Sequence, residues 1–417
     1  MIDPTVARSH FPSLASGVIH FDNPAGTQIC QESLDRMNDY LLHRNANHGG
    51  AFRSSRESDA MVVEARGALA DFLGASRPDE ISFGQNMTSL TMHVSRSLAR
   101  ELAPGDEIVL TRLDHDANVT PWVLIAKDKG CVVKWVDFDP ESCAWNAEEL
   151  ERQVGPRTKI VAVGFASNAT GTVSPIARAV KIAHSVGALC FVDAVHFAPH
   201  GPIDVASLGC DILVCSAYKF FGPHIGVMYG RHELLERLFA YKVRPAGDAP
   251  PDKWETGTQS FESIAGAMGA VEYVEWLGRT YGGLPAGPPS GPHGAGRTVL
   301  TAGMCAIQAW ESQLAKLMLE GLSSVKGLKI YGITDRSSLG SRAPTFAFTL
   351  SGFSPRHICQ ELDKQGICAS DGNYYALEVT TRLGLEDSGG MVRVGAVHYN
   401  TTHEVTRLVD ALAGLRK

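Results

Sequence analysis

A chain of 417 residues with 44% hydrophobic residues, 20% charged residues and a formal net charge of −7 is larger than one hydrophobic core usually organises, so two domains are expected. The acidic balance argues against a nucleic-acid partner, and no apolar run of about 18 residues marks a membrane span. The nine cysteines are odd in number and form no CxxC pair, which argues against a metal cluster or a disulfide framework and fits a reducing compartment. The N-terminal stretch MIDPTVARSHFPSL lacks the basic and apolar regions of a signal peptide, so the expected location is cytoplasmic.

In chain order, residues 57–73 read as a helix with Val62, Ala65, Leu69 and Phe72 on one stripe. Short apolar runs follow at 81–83, 106–110 (DEIVL), 131–136 (CVVKWV), 159–165 (KIVAVGF), 188–193 (ALCFVD) and 211–215 (DILVC), each the length of a buried strand. Residues 175–185 read as a helix, with Pro175 in its first turn and Ile176, Val180 and Ala183 on one side. The alternation of strands and helices predicts a mainly parallel sheet covered on both faces, an α/β fold. The stretch GGLPAGPPSGPHGAG at 282–296 breaks the pattern and reads as a loop or linker. A helix over 298–322 and a smaller αβ segment with strands at 345–350 and 391–397 complete the chain. The expected division is a large domain at 15–280 and a small one at 281–417, with residues 1–14 packed on the small one.

In an open α/β sheet, ligands bind beyond the carboxyl ends of the strands. After 81–83 comes GQNMTS, leading into a helix with Leu90, Val94 and Leu98 in register. Its free N–H groups, around Met87 and Thr88, suit a phosphate; an ordinary helix cap reads the same way. After 106–110 comes His115, placed to stack on a ring or to be structural. After 159–165 comes Asn168, a ligand for an oxygen or simply a turn residue. Strand 188–193 ends in Asp193, with His196 three residues on; a carboxylate there needs a cationic partner or a salt bridge. Strand 211–215 leads through Ser216 and Tyr218 to Lys219, followed by Phe220 and Phe221. A lysine among apolar groups has a depressed pKa, as an amine that forms a Schiff base requires.

These blocks, and above all residues 191–230 (FVDAVHFAPHGPIDVASLGCDILVCSAYKFFGPHIGVMYG), resemble the class V aminotransferase family of pyridoxal-phosphate enzymes, in its cysteine desulfurase and selenocysteine lyase branch. The resemblance runs from 21–26 (FDNPAG) to 392–401. It implies the PLP-dependent transferase fold, with pyridoxal 5′-phosphate held as a Schiff base on Lys219. Asp193 would keep the pyridine nitrogen protonated, His115 would stack on the ring, and Asn168 and His196 would lie near its 3′-oxygen. Met87, Thr88, Ser216 and Tyr218 would meet the phosphate. Thr258, in the pair Gly257-Thr258, would reach the phosphate of a partner subunit, which implies a homodimer with shared active sites. Arg393 would clamp the substrate carboxylate, with Ala25 and Tyr375 beside it.

Four positions depart from the family pattern. His196 stands for a glutamine, Tyr218 for a histidine and Ser370 for an arginine, and Tyr375 occupies the place of the desulfurase cysteine. A persulfide route needs that thiolate; the nearby Cys368 is expected to be buried in a strand. The resemblance therefore implies a C–S lyase acting by β-elimination on cysteine or a cysteine conjugate. The alternatives are a class V aminotransferase or amino-acid epimerase, a PLP-binding sulfur-pathway partner without turnover, and a fold relative that binds no cofactor.

Overall fold

The computed structural model describes residues 1–284 and 296–415. Its strands are β1 (Ile19–His20), β2 (Ile81–Gly84), β3 (Glu107–Thr111), β4 (Val132–Val136), β5 (Thr158–Gly164), β6 (Leu189–Asp193), β7 (Ile212–Ser216), β8 (Gly226–Gly230), β9 (Leu328–Tyr331), β10 (Thr345–Leu350), β11 (Ile367–Cys368), β12 (Ser370–Gly372) and β13 (Met391–Gly395). Seven of them form a sheet in the order β2-β8-β7-β6-β5-β3-β4. The pairs from β7 to β4 are parallel, whereas β8 runs antiparallel to both β7 and β2. A second sheet, β12-β13-β10-β9, is antiparallel throughout.

The apolar runs are nearly continuous because the large sheet is buried on both faces. Ile108, Leu110, Ile160, Ala162, Phe191, Ile212 and Val214 pack with the helices Met87–Ala99 and Thr120–Lys129. The alternating residues Val109, Val161, Val163, Cys190, Val192, Leu213 and Cys215 pack into the opposite layer with Arg53–Leu73, Ile176–Ser185 and Phe261–Tyr281. At the chain's start, Arg8 Nη1 donates to Glu404 Oε1 at 2.8 Å and to Tyr399 O at 3.1 Å. Among the described residues no helix is long and apolar enough to cross a membrane.

The differences from the sequence reading have local causes. The helix expected from 57 begins at Arg53. Its first turn is anchored by Ser55, whose hydroxyl donates to Asn47 O at 2.6 Å and accepts from Gly50 N at 2.7 Å, so apolar periodicity does not reveal it. The strand expected over 391–397 stops at Gly395, where the backbone N–H turns away to Phe21 O at 2.7 Å. β8 had no counterpart in the sequence reading: it is bounded by glycines and is defined by its antiparallel pairing with β7 and β2. Gly226 has a packing reason: a Cβ there would lie 2.5 Å from the Asn86 backbone. The 282–296 linker lies, apart from its ends, outside the described residues.

One buried side chain joins the two sheets. Arg342 donates to Thr170 O at 3.1 Å, to Thr345 O at 2.5 Å and to Ile333 O, and stacks 3.7 Å from the Phe346 ring centroid. The Thr170 carbonyl lies in the turn that follows β5. Gly171 in that turn has φ +78°, and a Cβ on it would meet Thr345 O at 2.5 Å, so the turn sits directly against β10. Arg342→Met strands several buried carbonyls and is expected to lower stability by about 3 kcal/mol or more. Urea-induced unfolding measures this; a midpoint equal to that of the parent chain would show that the bridge carries no net stability.

Candidate active site

The parallel strands deliver their polar residues to one edge. β3 ends before His115, β5 before Asn168, β6 in Asp193 and β7 before Lys219. His115, Asn168 and Lys219 meet Arg393 from β13 around a cavity of about 600 Å³, also lined by Ala25, Thr88, Tyr218, Tyr374 and Tyr375. A recess at its base is lined by Met87, Asp193, Val195, His196 and Lys219.

Lys219 is buried, and its Nζ donates to Pro24 O at 2.5 Å and to Ala25 O at 2.8 Å. Burial pushes its pKa down to about 7, and the Arg393 charge adds to this against the opposing carboxylates of Asp22 and Asp193. A neutral amine has two hydrogens to donate, matching the two carbonyls. Asp193 is also buried, and burial pushes its carboxyl up to about 6. Val195 N–H, at 2.9 Å from Oδ1, is the hydrogen bond that holds it. Such a carboxylate is satisfied by a cation placed in the recess.

His115 Nδ1 accepts from Ala117 N at 3.0 Å, so the ring hydrogen resides on Nε2. Burial, then Lys219 and Arg393, hold its pKa down at about 4, and the ring is neutral. His196 is likewise held neutral, chiefly by burial, with Nε2 3.1 Å from Thr345 Oγ1. Asn168 donates from Nδ2 to Tyr374 O at 2.9 Å, and its sealed Oδ1 has no partner among the described residues.

The helix Met87–Ala99 opens beside the recess. Asn86 Oδ1 caps Ser89 N at 2.9 Å, and Ser216 Oγ accepts from Met87 N at 3.0 Å. First-turn N–H groups lack intrahelical acceptors, so this end favours an anion. Tyr218 stacks on His224 with centroids 4.6 Å apart. Thr258 is not beside Lys219; it lines a neighbouring cavity with Thr88, Gln85 and His224.

Arg393 is 4% exposed. Its Nη1 donates to Asn168 O at 2.9 Å, Nη2 reaches Ser370 Oγ only at 3.5 Å, and Nε has no acceptor among the described residues. Tyr375 is 75% exposed at the mouth, its ring 5.7 Å from that of His115. Cys368 lies in β11, half-buried rather than fully buried, and no cysteine lines the cavity or its recess.

Two contributors escaped the sequence reading. Asp114 ties the ends of β3 and β5 together, accepting from Thr111 Oγ1 at 2.8 Å, Asn118 Nδ2 at 2.9 Å and Gly164 N at 2.9 Å. Burial pushes its carboxyl up to about 7. The strand-end criterion that singled out His115 applies one residue earlier as well. The second is Pro24, whose carbonyl joins that of Ala25 in holding the Lys219 amine; the resemblance placed Ala25 only beside the substrate, and the sequence carries no signal for this carbonyl pair.

An amine, a buried carboxylate, a neutral imidazole, an orphaned amide oxygen and a helix N-terminus fit a flat aromatic ring bearing an aldehyde, a protonated nitrogen and a phosphate. A family model described as aminotransferase class-V matches residues 19–281 and 294–408. A probable cysteine desulfurase of Mycolicibacterium paratuberculosis is 32% identical over 99% of this chain and 58% of its own length. An aminotransferase-like protein of Gibberella zeae is 30% identical, covering 97% of this chain and 96% of that protein. The solved apo structure of a cysteine desulfurase from Thermococcus onnurineus NA1 superposes with a TM-score of 0.88 at 27% identity, covering 99% of this chain and 98% of that one. The chain spans 58%, 65% and 62% of the lengths of the first three curated relatives.

Proposed function

We propose that this chain, which belongs to the class V aminotransferase family, is a pyridoxal 5′-phosphate enzyme that breaks the C–S bond of cysteine or a cysteine conjugate by β-elimination. The observation that carries the reading is the buried Lys219 amine, pushed down to about 7 and sharing its recess with Asp193. When bound, the cofactor supplies an electron sink for the bond broken at the substrate Cα.

In this reading Lys219 is the attachment point. Asp193 faces the ring nitrogen and keeps it protonated. The neutral His115 packs on the ring, and Asn168 and His196 flank the 3′-oxygen. Met87 and Thr88 at the helix opening, with Ser216 and Tyr218, hold the phosphate, and Thr258 serves the same group of a second subunit. Arg393 orients the substrate carboxylate, with Ala25 and Tyr375 bordering the substrate. Lys219 Nζ would be the base that takes the substrate Cα proton, and the Cβ–S electron pair would leave with sulfur. The absence of a cysteine from the cavity lining supports release of sulfide or thiol without an enzyme persulfide. A cytoplasmic homodimer, with each chain divided into 15–280 and 281–417 plus residues 1–14, completes the reading.

The test uses purified, cofactor-loaded protein with cysteine, S-substituted cysteines and other amino acids. The expected products, with one water consumed, are pyruvate, ammonia and a free thiol or sulfide in equal amounts. Alanine with sulfide from cysteine would overturn the elimination in favour of persulfide chemistry. A keto acid formed only with an amino acceptor would overturn it in favour of transamination.

A further inference from the structure

The segment before the cavity mouth has an unusual backbone. Tyr374 and Tyr375 are successive non-glycine residues with φ +55° and +59°. The left-handed conformation is costly for a residue bearing a Cβ and persists only where surrounding contacts fix it. Those contacts reach both walls of the site. Tyr374 O accepts from Asn168 Nδ2 at 2.9 Å, and Tyr375 O accepts from Asp116 N at 2.7 Å, next to His115. Within the turn, Asn373 Oδ1 accepts from Tyr375 N at 3.1 Å.

The half-buried Tyr374 ring lies under the Arg393 guanidinium, with the central carbon 4.2 Å from the ring centroid. Its hydroxyl donates to Met391 O, two residues before Arg393 on β13. Arg393 Nη1 donates to Asn168 O at 2.9 Å, and Asn168 donates back to the Tyr374 backbone. Arg393, Asn168 and Tyr374 thus form a closed circuit. Asp22, a carboxylate whose charge acts on this group, accepts from Ser370 Oγ and makes no ion pair with Arg393 among the described residues. A ring on the face of a guanidinium engages its charge but uses none of its in-plane N–H donors. The weakly held Nη2 edge therefore stays free for a ligand.

We propose that Tyr374 is a positioning residue that holds the Arg393 plane in the orientation that receives the substrate carboxylate. This rests on the reading of Arg393 as the carboxylate clamp.

The experiment is a titration of cofactor-loaded enzyme with S-methyl-L-cysteine and with its decarboxylated counterpart, 2-(methylthio)ethylamine, followed through the cofactor's absorbance. Wild-type enzyme should prefer the amino acid. Tyr374→Leu should weaken amino-acid binding about 10-fold and leave the amine within about 2-fold, whereas Tyr374→Phe, which keeps the ring, should stay close to wild type for both. Tyr374→Met serves the same comparison should the leucine variant not fold. A leucine or methionine variant that discriminates as well as wild type would overturn this proposal alone. So would a phenylalanine variant as impaired as leucine, or parallel weakening of both ligands. A wild-type enzyme that binds both ligands equally would overturn the clamp reading and this proposal with it.

Discussion

Lys219→Ala is expected to abolish the visible absorption of lysine-bound cofactor and to lower turnover by at least about 10³-fold, within the range for loss of a positioned proton-transfer group. The variant removes both the attachment point and the proposed base. Reconstitution followed by gel filtration and a spectrum measures the first, and product formation the second. The same lysine sets a pH dependence. Its folded pKa of about 7 lies below the ordinary 10.5, so the amine becomes a free nucleophile as pH rises through about 7. Cofactor attachment to the apoprotein should accelerate through that pH and then level. From about 7 to 10.5 the unfolded chain holds a proton that the folded chain does not, so this group's contribution to apoprotein stability rises with pH across the window. A retained absorption band in Lys219→Ala would end the assignment, and an acceleration centred near pH 10 would contradict the buried, neutral amine.

Arg393→Ala should cost about 10²–10³-fold in kcat/KM for amino-acid substrates, the range for truncating one partner of a desolvated charge pair. The loss should fall mainly on KM, because the carboxylate is bound before and during proton removal. Arg393→Lys should not restore it: an ammonium cannot reproduce the planar fork, stack on Tyr374 and reach Asn168 O together. Steady-state kinetics on the two variants, with circular dichroism to verify folding, reads the effect. An unchanged KM in Arg393→Ala would remove the residue from substrate binding.

The strands of the large sheet were legible because a strand buried on both faces must be apolar along its length and bounded by polar turns. The same logic located Lys219, Asp193, Asn168 and His115, each placed just past an apolar run. β8 was not legible, since its identity depends on pairing with β7 and β2 rather than on its own pattern. The early start at Arg53 depended on buried serine hydrogen bonds, which periodicity does not register. Arg393 sits mid-strand on a different sheet, and only the family resemblance singled it out. The work of Tyr374 was out of reach, because two left-handed φ angles and a ring beneath a guanidinium are consequences of tertiary packing.

The carbonyls of Pro24 and Ala25 join the N-terminal segment to the end of the large sheet that carries Lys219. They hold the resting amine of Lys219, while the adjoining backbone bridges Asp22 to Gly395 on the clamp strand. In the proposed reading, a Lys219 nitrogen bonded to the cofactor would have fewer hydrogens to offer than the free amine, so at least one of these carbonyls would need another donor. That stretch of chain thus spans the site: its carbonyls hold the Lys219 amine, and its neighbour Asp22 is tied to the strand that carries Arg393.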